Sequence, residues 1–189
     1  MTMNLLHRVW CSSNSWARSV ERKLLPWALQ DVDLGDNTLE IGPGYGANLR
    51  VLVDKTPVLT TVEIDGPMAD RLIEKYGDRA RIIHGDGTDL QLPDAEFSSV
   101  VCFTMLHHVP TPALQDRMFA EAFRVLVPGA VFAGSDGVPS TAFRIAHLRD
   151  TCNPVSPDEF PDRLRRAGFT DVDVNVKGGE QRWRAVKPR

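Results

Sequence analysis

Cysteine is scarce in this chain. The three present, Cys11, Cys102 and Cys152, are odd in number and far apart. None forms a C-x-x-C pair, so neither a disulfide framework nor a zinc site is indicated, and no metal is expected. Cys102 sits in an apolar strand-like run and reads as a small buried hydrophobe. No apolar stretch is long enough to span a membrane, so no membrane partner is expected. The N-terminus lacks the apolar core of a secretory signal. It carries Arg8 and Arg18, several serines and no acid before Glu21, but two arginines are few for a transit peptide, and a structural helix is the expected reading. Together these absences point to a reducing, cytoplasmic compartment. A basic stripe is missing as well. The net charge is −3, and the densest basic cluster, "RLRR" at 163–166, reads as one helix face, so no nucleic-acid partner is expected. There is no internal repeat and no low-complexity segment.

What is present is ordinary for a globular protein: 189 residues, 42% hydrophobic and 25% charged, enough for one domain with a sizeable core. Trp16, Val20, Leu24 and Trp27 recur at helical spacing, and Pro26 is expected to kink or end that helix. Strand-like and helix-like segments then alternate. "NTLEI", "PVLTTVEI", "ARIIHG", "FSSVVCFT" and "AVFAGS" read as strands. "GANLRVLVD", "PMADRLIEKYG" and the stretch from Thr111 to Pro128-Gly129 read as helices. Residues 136–156 are irregular or weakly helical. "SPDEFPDRLRRAG" reads as a helix, with Ser156 and Glu159 in a capping box. "DVDVNV" and "QRWRAV" close the chain as a hairpin about Gly178-Gly179. The alternation predicts an α/β fold: a doubly wound, mostly parallel, seven-stranded sheet with an antiparallel C-terminal edge hairpin. Within one domain the expected parts are an N-terminal helical cap (1–34), a cofactor-binding core (35–135), a substrate-side connection (136–156) and a C-terminal helix and hairpin (157–189).

The densest chemical signal is "LEIGPGYGANL" at 39–49. Glycine lets backbone approach a ligand, and the helix expected from about Tyr45 offers free N–H groups at its start. Gly42, Gly44 and Ala47 also satisfy the loose pattern of a dinucleotide site, and Glu63 ends the second strand about 20 residues on, where a carboxylate can accept from ribose hydroxyls. Alone, these residues say only that adenosine binds at a switch point. Three features separate the readings. Gly46 tightens the glycine spacing, and Glu40, two residues before Gly42, would attract an ammonium group but repel a pyrophosphate. The chain after 136 is too short for a second mononucleotide-binding half. In "HGDGTDLQLPD", Asp86 could accept from an adenine amino group while the Gly87 backbone approaches the ring edge. Asp65 reads as a helix cap or a water-facing residue, and Asp89 and Asp94 as turn residues.

With "LEIGPGYG", "VEID", "GDGTDLQLPD", "LHHV" and "FRVLVPGA" in order, the sequence resembles a class I S-adenosylmethionine-dependent methyltransferase of the small-molecule branch. The resemblance covers roughly residues 36–135, and the ending fits to the C-terminus. It implies S-adenosylmethionine as cofactor. Glu40 and the turn of Gly42, Pro43, Gly44, Tyr45 and Gly46 would face its methionine part. Glu63 would hold the ribose hydroxyls, Ile64 would pack on the adenine, and Asp86 and Gly87 would sit at its edge. Phe103 and Thr104 would lie beneath. Ala130 stands where the family has a second glycine, a departure that touches local packing only.

Methyl transfer from such a donor is an in-line displacement needing alignment and dryness rather than metal. The acceptor, expected to be a small, partly apolar molecule, would be walled by the N-terminal segment, the loop after Thr104 and residues 136–156. His7, Trp10, Phe143 and His147 are available there. His107 and His108 are the candidate catalytic bases. Neighbours do not share a face, so one is expected toward the pocket, with His107 preferred and His108 in packing. Three other readings stay open: thiolate chemistry on a metalloid through Cys11 and Cys152, an adenosine-binding dehydrogenase, and a non-catalytic S-adenosylmethionine-binding protein. A macromolecular acceptor is a further alternative.

Overall fold

The computed structural model describes residues 5–189. The side chain of His7 lies outside the described residues. Seven strands form one sheet: β1 (Asn37–Ile41), β2 (Val58–Glu63), β3 (Arg81–His84), β4 (Phe97–Phe103), β5 (Leu126–Gly137), β6 (Thr170–Lys177) and β7 (Glu180–Val186). Their order is β3-β2-β1-β4-β5-β7-β6. The first five are parallel, and β7 runs antiparallel between β5 and β6. This is the expected doubly wound sheet, closed by the expected hairpin. Gly178 and Gly179, at φ +61° and +86°, form its turn, a backbone shape that favours glycine at both positions.

The central strand shows why the sequence folds this way. Along β4, Val100 and Cys102 enter one apolar cluster, while Val101 and Phe103 enter the other. Alternation with period two on a fully buried strand thus feeds a core on each face. On one face, Phe119 of α6 (Pro112–Val125) and Phe160 of α8 (Phe160–Arg166) pack with Phe132 and Trp183. On the other, Val20, Leu24 and Leu25 of the N-terminal helices pack with Leu72 of α5 (Gly66–Tyr76).

Several local expectations are corrected. The N-terminal helical region is α1 (Leu5–Cys11), α2 (Asn14–Ser19), a π-helical turn (Val20–Leu24) and α3 (Leu25–Ala28). Pro26 lies in the first turn of α3 rather than ending a helix. The widened turn, with Leu25 N–H donating to Val20 O, suits a ring that cannot donate one turn back. The Ser156–Glu159 capping box does not form. Helix α8 starts at Phe160 with Glu159 as an N-cap that makes no side-chain bond, and Pro161 occupies its first turn. The segment 136–156 holds one short helix, α7 (Thr141–Ala146), capped by Ser140.

Helix α6 starts as read. Thr111 Oγ1 accepts from Leu114 N at 3.2 Å, and Pro112 follows as the first helical residue. Thr111→Ala should therefore lower stability by about 1 kcal/mol. Urea denaturation monitored by circular dichroism checks this, and an unchanged midpoint would show that solvent replaces the cap without cost.

Candidate active site

Strand β1 pairs with β2 on one side and β4 on the other. The connections that leave the carboxyl ends of β1 and β4 run in opposite directions, to β2 and to β5, and open a crevice there, the usual ligand site of such sheets. A cavity of about 250 Å³ fills that crevice. Its scale suits a small molecule rather than a polymer groove.

The glycine turn forms one wall, with Gly42, Pro43, Gly44 and Tyr45 lining the cavity. Gly42 and Gly44 have φ of +73° and +53°. A Cβ on Gly42 would strike the Met105 side chain, whereas one on Gly44 would meet nothing within 4 Å. Gly44 thus turns bare backbone to open space. Gly46 does not line the cavity. Its φ is +77°, and a Cβ there would come within 2.8 Å of Leu72, so it permits close packing against α5. The helix expected from Tyr45 is shorter than read: 44–48 are turn, and regular helix α4 covers only Leu49–Leu52. No side chain caps it.

Glu40 lies behind this wall, fully buried, with both carboxylate oxygens lacking a hydrogen-bond partner. Burial pushes its carboxyl up to about 8. The neighbouring Asn48 side chain opposes the rise without closing a well-formed hydrogen bond, and the charge of Glu63 adds to it. An unpartnered buried acid is costly unless a cation or donor completes it.

Glu63, at the end of β2, lines the cavity and is 5% exposed. Its Oε2 accepts from Gly44 N and its Oε1 from Asp65 N, both at 3.0 Å. Burial raises its carboxyl, and these two N–H groups pull it back. The carboxylate has about four acceptor positions, so two remain for hydroxyls. Ile64 and Asp65 follow on the same wall. Asp65 caps α5 as expected, Oδ1 accepting from Met68 N at 3.0 Å. Asp86 and Gly87 line the cavity as well. Asp86 Oδ1 accepts from Thr88 N at 2.8 Å, while a Cβ on Gly87 would run into Ile41 at 2.5 Å. Phe103 and Thr104 also line the cavity. Thr104 has φ +50°, unusual for a β-branched residue and worth about 1–3 kcal/mol of local strain where β4 ends.

Beyond Thr104 the same cavity is walled by Met105, His108, Val109 and Leu114, with Cys11 and Trp16 from the N-terminal segment. His108 lines it and His107 does not, the reverse of the preferred assignment. The reason is Asp136, at the end of β5. Its Oδ2 accepts from His107 N at 2.7 Å, and its Oδ1 pairs with His107 Nδ1 at 2.5 Å. Held at two points, His107 turns behind the wall, 3% exposed, with its Nε2 buried and unpartnered. The ring of His108 lies 4.0 Å from it, centroid to centroid. His147 and Phe143 pack against His107 at 4.6 and 5.0 Å. Trp10 is 55% exposed and, like Phe143, does not line the cavity. Asp136 escaped the sequence reading, although an acid closing a strand in "GSDG" is the same kind of signal as Glu63.

Comparison with known proteins agrees with this geometry. Residues 39–134 match the family described as "Methyltransferase domain". An erythromycin 3''-O-methyltransferase of Saccharopolyspora erythraea is 33% identical over 168 residues, covering 74% of this chain and 52% of that protein. A 27-O-demethylrifamycin SV methyltransferase of Amycolatopsis mediterranei is 28% identical over 189 residues, covering 88% of this chain and 66% of that one. The chain thus spans about half to two thirds of the length of these relatives. A solved Pyrococcus horikoshii protein superposes along the full length of both chains with a TM-score of 0.81 at 18% identity, a likeness of fold.

Proposed function

The chain belongs to the class I S-adenosylmethionine-dependent methyltransferases, and we propose that it moves a methyl group onto a small-molecule acceptor by in-line displacement. The observation that carries the proposal is one cavity whose lining joins Gly44, Glu63 and Asp86 with Met105, His108, Val109 and Leu114. The residues present fit the cofactor. The bare backbone of Gly44 leaves room for it, and the unpartnered carboxylate of Glu40 suits its ammonium group. Glu63 would accept from the ribose hydroxyls, Asp86 Oδ2 and Gly87 would meet the adenine edge, and Phe103 and Thr104 would support it from below. When bound, the cofactor supplies an electrophilic methyl on a cationic sulfur, with the leaving group built in. The two relatives named above are methyltransferases of erythromycin and of a demethylrifamycin, both small molecules.

The rest falls to the chain. Met105, Val109 and Leu114 exclude water and align the acceptor, a contribution of roughly 7–11 kcal/mol in the best cases. His108 stands on the wall as the base. Its Nδ1 lies 3.0 Å from Thr151 O, which can only accept, so the proton belongs on Nδ1 and the lone pair on Nε2. His107, fixed by Asp136, packs behind it. Thiolate chemistry on a metalloid is disfavoured. Cys11 lines the cavity, but burial, with the Asp150 charge behind it, pushes its thiol up to about 11, and burial raises Cys152 as well.

The test is cofactor carrying a labelled methyl, incubated with the protein and a metabolite extract. Label should appear in low-mass products. Label only in macromolecules, or none with cofactor bound, would sink the reading. His108→Gln should cut turnover about 10²-fold while leaving cofactor affinity nearly unchanged. Full turnover in that variant would mean that the acceptor needs no histidine base.

A further inference from the structure

Base catalysis uses one imidazole, yet the structure brings three together. His107, His108 and His147 are all buried, and one ring nitrogen from each lies within 4.8 Å of the other two. We infer that these three histidines form a binding site for a divalent transition-metal ion of zinc type, with its open position toward the acceptor end of the cavity.

The argument rests on which nitrogens face the cluster. Each ring has its Nδ1 against an oxygen: His107 on Asp136 Oδ1 at 2.5 Å, His108 on Thr151 O at 3.0 Å, His147 on Phe143 O at 2.8 Å. The two carbonyls can only accept. The Asp136 carboxylate also accepts from the backbone N–H groups of His107 and Gly137. Each ring thus keeps its proton on Nδ1, and the neutral imidazole offers its lone pair at Nε2. This is the arrangement of metal-bound imidazoles, whose other N–H is donated to a carboxylate or backbone carbonyl. Of the three, His107 Nε2 is buried with no hydrogen-bond partner, a costly state that an ion would relieve.

The donor set selects the ion. Three imidazoles suit zinc, copper, nickel or iron, and an oxygen-seeking cation such as magnesium or calcium would find no oxygen ligand among them. Zinc binds imidazole nitrogen at about 2.0–2.1 Å, so the ring nitrogens must draw together by roughly an ångström. His147 ends the short helix α7, where such a shift involves little of the fold. Asp136 would balance part of the charge through His107. With its Nε2 on the ion, His108 would no longer act as the base. Because it lines the cavity, the fourth position would face it, and an acceptor hydroxyl bound there would lose its proton more easily in place of that base. Cofactor binding, at Glu40, Gly44 and Glu63, would not depend on the ion. Metal binding itself does not depend on the methyl-transfer reading.

The test uses full-length protein freed of metal by chelator and titrated with Co²⁺ as a spectroscopic probe, then with Zn²⁺ by calorimetry. One equivalent should bind with Kd of about 1 μM or tighter and give the visible bands of four-coordinate Co²⁺. His147→Gln and His107→Gln should abolish both signals. Asp136→Asn should weaken binding about 10- to 100-fold. His84→Gln, at an exposed histidine outside the cluster, should change nothing. Because the buried His107 variant can fail to fold, His147→Gln decides. Loss of binding in that variant supports the site. Binding that survives it, or no stoichiometric binding by the unaltered protein, overturns it. Calorimetry with S-adenosylhomocysteine in the presence of chelator reads the cofactor site separately.

Discussion

Glu63→Ala should weaken binding of S-adenosylhomocysteine by about 10²-fold or more, while Asp65→Ala should leave it within a few-fold. Both acids line the same cavity, two residues apart, so the contrast is a demanding one. Two hydroxyl bonds to a carboxylate are worth about 1.5–3 kcal/mol each. Glu63 also ties Gly44 N to Asp65 N through its two oxygens. Its loss would therefore slacken the glycine turn as well as remove the ribose contact. Asp65 spends its Oδ1 on Met68 N at the start of α5. Removing it should cost about 1 kcal/mol of stability through the lost cap. Calorimetry gives the affinities, and thermal melts of the apoproteins give the stabilities. Equal loss of affinity from the two substitutions, with both folds intact, would move the ribose contact to Asp65.

The difference between these two acids was legible in the sequence because both roles are local. A strand end followed by a proline-started helix dictates which acid caps and which points out of the sheet. The sheet was legible for the same reason: β4 carries its two-faced burial in seven consecutive residues. The histidine cluster was not legible. His107 and His147 stand 40 positions apart, and their meeting depends on how residues 138–150 fold back over the end of β5. Sequence adjacency showed that His107 and His108 point apart, but not which one faces the cavity. Asp136, 29 residues on, decides that by holding His107 at both its backbone N–H and its ring. The α4 region failed for a different reason. The apolar spacing of "GANLRVLVD" suits a helix, yet residues 44–48 are held as turn by the positive-φ glycines Gly44 and Gly46, leaving one regular turn at Leu49–Leu52.

Glu40→Gln should cost cofactor affinity about 3–5 kcal/mol, the usual penalty for removing one partner of a buried ion pair, and should at the same time stabilise the apoprotein at alkaline pH. The two effects share one cause. In the cofactor-free protein, burial holds the Glu40 carboxyl near 8 against an ordinary value of 4.5. A carboxyl raised in this way favours the fold fully below the ordinary value, and the advantage is lost as pH climbs toward the folded value. Apoprotein stability should therefore fall between about pH 4.5 and 8, by up to about 1.4 kcal/mol per pH unit from this group. Glutamine does not ionise, so the variant should lack that part of the decline. The cofactor's ammonium group demands the charged carboxylate, so binding near pH 7 should expel close to one proton from Glu40. Calorimetry in two buffers of different ionisation enthalpy measures that proton directly, and Glu40→Gln should abolish its release. Proton release that persists in the variant would assign the coupling to another group. An affinity unchanged by the substitution would show that the ammonium group does not rest on Glu40.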